Sequence, residues 1–118
     1  MKTSYFAKYH EADGVSIALK SVSGFRGRVY PDLYPTWDLL NEYKKTGDEK
    51  KYIKQYHEDV LSKLDPQKVY NDLKDCVLLC WEKSGKFCHR RIVAKWIEKN
   101  IGVEVPEFEQ NKRMIITI

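Results

Sequence analysis

At 118 residues the chain has room for one hydrophobic core and not for two. Hydrophobic residues at 42% and charged residues at 32% exclude a disordered or fibrous chain, and no apolar run is long enough to span a bilayer. The net charge of +4 permits an anionic partner, although dedicated nucleic-acid binders are usually more basic.

Taken in order, residues 3–9 (TSYFAKY) and 15–19 (VSIAL) are short, rich in β-branched and aromatic side chains, and separated by the turn signal ADG. Both are expected as strands. Residues 20–35 (KSVSGFRGRVYPDLYP) show neither helical nor strand periodicity and are expected as one long loop, of the kind that is functional when it occurs in a small domain. Thr36 can cap a helix that runs to Gly47, and Asp48 can cap a second, with Tyr52, Ile53, Tyr56, Val60 and Leu61 on one face. Asp65 followed by Pro66 starts a third, shorter helix.

CVLLCW, residues 76–81, is a continuous apolar run, as expected of a central strand covered on both faces in a parallel sheet. CHRRIVAKWIEKN is a helix that Gly102 can end, and MIITI, residues 114–118, is expected as a last strand. The order strand, helices, strand, helix, strand predicts a single α/β domain of three layers around a small, mainly parallel sheet.

In such a sheet ligands bind at the carboxyl ends of the strands, where loops lead into helix starts. The stretch LLCWEKSGKFCHRR, residues 78–91, lies there and holds the highest density of reactive side chains in the chain. Cys88 at the helix start is either a nucleophile, favoured as thiolate by the helix dipole, or a small buried packing residue. His89 projects toward the apolar face of its helix, where it either does acid/base work or bonds a backbone carbonyl. Arg90 offers a bidentate fork to an anion, Glu82 is the nearest carboxylate in sequence to both, and Cys80 ends the strand. Arg91 is expected to be an ordinary solvent residue.

Two sharper motifs fail. Gly85 and Lys86 stand five and six residues after Cys80, where a phosphatase loop needs arginine. Zinc would draw on Cys80, Cys88, His89 and His57, but the spacing is unfamiliar and adjacent Cys88 and His89 diverge on a helix, so no metal is expected. Three cysteines without a signal peptide or membrane span point to a reducing, cytoplasmic setting, with thiols that pack, react or ligate rather than cross-link.

The pattern LLC-x-E followed by CHR resembles the signature of the domain of unknown function 488 family, in its short, YeaO-like branch. TSYFA, SIA at residues 16–18, then Gly27, Tyr30, Leu33 and Pro35, and VLSKLDPQKVYNDL at 60–73 extend the resemblance over nearly the whole chain. It implies a Rossmann-like α/β fold, and it matches Cys80, Glu82, Cys88, His89 and Arg90 to the signature without assigning a reaction or a cofactor. After SIA this chain departs from many relatives with Leu19 and Lys20.

Two functions compete. The first is an enzyme on a phosphate- or carboxylate-bearing small molecule, with Arg90 and Arg26 holding the anion and Cys88 or Glu82 working with His89. The second is a non-catalytic module that binds a nucleotide or nucleic acid through the basic, aromatic rim of the long loop, Tyr30 included. A purely structural role for the cysteines and histidine is the bland alternative to both. The cofactor and the oligomeric state are not legible.

Overall fold

The computed structural model describes residues 1–108. Strands β1 (Lys2–Tyr5), β2 (Gly14–Ser16), β3 (Arg28–Val29) and β4 (Val77–Cys80) form one sheet in the order β1-β4-β2-β3, with every pairing parallel. The expected strand at 114–118 lies outside the described residues. β4 is central, as its unbroken apolar run predicts: all four of its residues are buried, and its end is in register with the end of β1 through Tyr5 and Cys80.

The helices start and stop where short-range chemistry dictates. Thr36 Oγ1 accepts from Leu39 N to open α1 (Trp37–Thr46), which Gly47 ends at φ +66°, a conformation costly for any residue with a Cβ. Asp48 and Asp65 cap α2 (Glu49–Asp59) and α3 (Pro66–Leu73) in the same way, and Gly102 ends α4 (His89–Ile101). Several boundaries differ from expectation: β1 ends at Tyr5 and β2 at Ser16, short of the strands expected at 3–9 and 15–19. α2 stops at Asp59, and Val60 and Leu61 pass into a 3-10 turn while staying buried. The loop 20–35 contains β3 and a second 3-10 turn, Pro31–Leu33, because the amide of Tyr30 reaches the carbonyl of Ser16 and extends the sheet by one short edge strand.

All four helices bury their apolar stripes in one cluster on one face of the sheet, with Val15, Ile17 and Leu78 beneath Tyr56, Leu73, Val93 and Ile97. Tyr56, completely buried there, donates its hydroxyl to the Leu33 carbonyl at 2.6 Å, so the polar tip of a core aromatic is satisfied. The opposite face carries a smaller cluster in which the loop residues Phe6, Tyr9 and Phe25 cover Val77 and Leu79 of β4, together with Cys80 and Cys88. The three layers are thus helices, sheet and loops. No helix among the described residues is long and apolar enough to cross a membrane.

Candidate functional site

The chain leaves β2 toward β3 and leaves β4 through α4 toward β1, where Glu107 makes a parallel bridge to Thr3. The junction between the carboxyl ends of β2 and β4 is therefore where two connections diverge, the usual place for a ligand in an open parallel sheet. Cys80, Cys88, His89 and Arg90 meet there, all of them buried.

Cys88 is not the first helical residue. It is the N-cap of α4 in extended conformation (φ −155°, ψ 146°), with no side-chain hydrogen bond to the first turn. This corrects the expectation that Cys88 and His89 diverge: an extended cap turns the sulfur back over the end of β4, toward Cys80 and toward the ring of the next residue. One ligand atom from each of Cys80, Cys88 and His89 lies within 4.8 Å of the others. A second correction follows, because the sulfurs of Cys80 and Cys88 are joined as a disulfide, where unlinked thiols are expected from composition. Cys76 is free and half-buried.

His89 has both nitrogens placed. Nε2 lies 2.8 Å from the carbonyl of Ile17, just beyond β2, and a carbonyl can only accept, so the ring proton sits on Nε2. Nδ1 is left as a bare acceptor facing Cys88 Sγ at 3.9 Å. Burial, opposed by the Ile17 hydrogen bond and reinforced by the charge of Arg90, pushes the imidazole pKa down to about 4. The ring is neutral at ordinary pH.

Arg90 has no solvent exposure. Its Nε and Nη2 donate to the two carboxylate oxygens of Glu107 at 3.1 and 2.8 Å, Nη1 donates to Cys80 Sγ at 3.2 Å, and the guanidinium lies 5.7 Å from the Tyr5 ring centre. Glu107 also accepts from Thr3 Oγ1 and Ser84 Oγ. Burial raises the Glu107 pKa, but these three partners outweigh it and hold the carboxyl below its usual range. Proximity in sequence points instead to Glu82 as the partner of Arg90. That residue is exposed and makes no hydrogen bond or ion pair among the described residues. Arg91, expected in solvent, is half-buried and donates to Thr3 Oγ1 and the Val105 carbonyl, tying α4 to the returning chain.

The remaining candidates sit apart from the sulfurs. Arg26 is exposed on the rim of a groove of about 690 Å³ on the loop-covered face, lined also by Phe6, Tyr9, Phe25 and Trp81. The long loop does converge on the end of β4, since the Trp81 indole donates to the Lys20 carbonyl at 2.7 Å. Gly27 gives the Phe25 ring its place there, because a Cβ would lie 2.6 Å from Phe25 Cζ. Tyr30 instead turns to α3, donating to Asp72 Oδ2 at 2.7 Å, and Arg28 reaches Cys76 and the Asp72 carbonyl. A second cleft, of about 350 Å³ between α1 and α2, is lined by Asp38, Glu42, Asp48 and Asp59, the wrong sign for an anion.

Fold and site together define a small parallel α/β domain with two cysteine sulfurs, an imidazole and a guanidinium gathered at its strand ends. The sequence matches the family model DUF488-N3a, described as the active DUF488-N3 subclade, over residues 8–101, and the chain belongs to the DUF488 family. No curated protein and no solved structure matches it.

Proposed function

We propose that the chain is a small enzyme that uses the Cys88 thiol on a substrate bearing a phosphate or carboxylate. The observation that carries this reading is the His89 ring, whose Nε2 is committed to Ile17 and whose Nδ1 faces the Cys88 sulfur. With the pair reduced, Nδ1 of the neutral ring accepts a hydrogen bond from the Cys88 thiol and orients it, and the uncapped first turn of α4 favours negative charge on the sulfur. Cys80 is the partner thiol, and Arg90 beside it lowers the cost of negative charge on sulfur. The fork of Arg90, with the hydroxyls of Thr3 and Ser84, already holds the carboxylate of Glu107, so a substrate anion would reach Arg90 by displacing that carboxylate. Arg26 supplies further positive charge from the groove, and Glu82 is the exposed acid/base group nearest in sequence. Membership of a subclade described as active favours an enzyme, and a cytoplasmic, reducing location would keep the pair as thiols.

The test is alkylation of the reduced, metal-free protein by iodoacetamide at pH 6.5, mapped by peptide mass spectrometry. Cys88 is expected to react at least tenfold faster than Cys76 in the same molecule, and His89→Gln to remove that advantage. Equal rates at the two cysteines would sink the nucleophile.

The aromatic groove favours a second reading, a non-catalytic module for a nucleotide or single-stranded nucleic acid, since Phe6, Phe25 and Trp81 offer faces and edges for stacking beside Arg26. Salt-sensitive oligonucleotide binding, lost on Trp81→Ala and unaffected by Cys88→Ser, would select it.

A further inference from the structure

We infer that Cys80, Cys88 and His89, when the two thiols are reduced, form a zinc site. The inference goes beyond the nucleophile reading and stands on ligand geometry alone. Two sulfurs and one imidazole nitrogen converge within 4.8 Å, in a buried setting. The Cα atoms of Cys80 and Cys88 are 7.3 Å apart, wider than the ~4.4–6.8 Å that disulfides usually bridge, and a single ion between two thiolates suits the wider span. The distance from Cys88 Sγ to His89 Nδ1, 3.9 Å, is within a few tenths of an ångström of the edge of a tetrahedron with Zn–S of ~2.3 Å and Zn–N of ~2.0 Å, about 3.5 Å.

The surroundings fit as well. A metal-bound histidine almost always donates its other N–H to a carbonyl or carboxylate, and His89 Nε2 does so to Ile17. Arg90 donates to the Cys80 sulfur, the kind of contact that steadies a ligating thiolate. Charge balances over the whole group: two thiolates cancel the dication, and Arg90 cancels Glu107, so nothing uncompensated is buried. Thiolate and imidazole ligands select zinc over magnesium or calcium. Three protein ligands leave the fourth position open, the arrangement of a site that is loaded, exchanged or catalytic.

Binding needs the dithiol. A phosphine reductant and water convert the disulfide to two thiols as the phosphine becomes its oxide, and each thiol then gives its proton to solvent as its Zn–S bond forms. The loaded ion covers Cys88, so metal and alkylating agent compete for one sulfur.

The test uses the reduced, EDTA-stripped full chain titrated with Co²⁺. One equivalent is expected to give thiolate charge-transfer and tetrahedral d–d bands that Zn²⁺ abolishes. Cys76→Ser should leave the bands intact, while Cys88→Ser and His89→Gln should lose them. Should those variants fail to fold, the wild type still decides: Zn²⁺ is expected to slow alkylation of Cys80 and Cys88 at least tenfold and leave Cys76 unchanged. Absent bands, bands that survive Cys88→Ser, or alkylation indifferent to Zn²⁺ would overturn the site. Failure here and failure of the nucleophile differ, since slow alkylation of metal-free Cys88 leaves the cobalt bands standing, and missing bands leave fast alkylation standing.

Discussion

Glu107→Ala is expected to destabilise the fold by about 3–5 kcal/mol, the range for removing one partner of a buried ion pair and leaving the other charge uncompensated. Arg90 is entirely buried, and Glu107 supplies both oxygens that its fork meets, along with the acceptor for Ser84 and Thr3. The loss should appear as a lower urea midpoint at unchanged slope. Arg90→Met combined with Glu107→Leu should recover much of it, because the pair then leaves no charge to satisfy. By contrast, Lys51→Ala breaks an ion pair with Glu42 that lies in solvent and should leave the midpoint where it is. A Glu107→Ala cost below about 1 kcal/mol would mean that water reaches Arg90, contrary to its complete burial.

His89 should make stability depend on pH in a defined window. Its folded pKa is depressed from 6.5 to about 4, chiefly by burial, so the unfolded chain binds a proton that the folded chain refuses. The stability it contributes is fully present above pH 6.5 and is lost progressively as pH falls toward 4. The full loss is on the order of 3 kcal/mol, a tenfold change in proton affinity being worth about 1.4 kcal/mol. Denaturation of the EDTA-treated protein at a series of pH values checks this against His89→Gln, which should lack the loss between pH 6.5 and 5. Parallel curves for the two proteins would show that the ring charges in the folded state. Glu107 acts in the same direction at lower pH, because its depressed carboxyl holds stability that disappears as acid protonates it.

What the sequence made legible was local or periodic. Thr36, Asp48 and Asp65 announce their helices because capping is settled within three residues, and Gly47 and Gly102 end theirs because only a residue without Cβ takes positive φ cheaply. The run from Val77 to Cys80 declares a central strand by lacking alternation. What stayed hidden depended on tertiary register. Glu107 lies 17 residues from Arg90 and reaches it only because the chain returns beside β1, a turn with no signal in composition. Arg91 finds Thr3 for the same reason. The edge strand β3 is two residues long, too short for any period to show. At Cys88 the difference is a single residue in the helix start, since cysteine is not a capping residue by preference. That one residue decides whether its sulfur diverges from His89 or faces it.

The facing of Cys88 and His89 is best measured by correlating the imidazole nitrogens of the reduced, metal-free protein with the ring C–H protons by NMR near neutral pH. The expected result is a neutral His89 protonated on Nε2, with an unprotonated Nδ1 toward Cys88. A ring protonated on Nδ1 would break the hydrogen bond to Ile17, present a donor to the sulfur, and remove the acceptor on which the thiol chemistry depends.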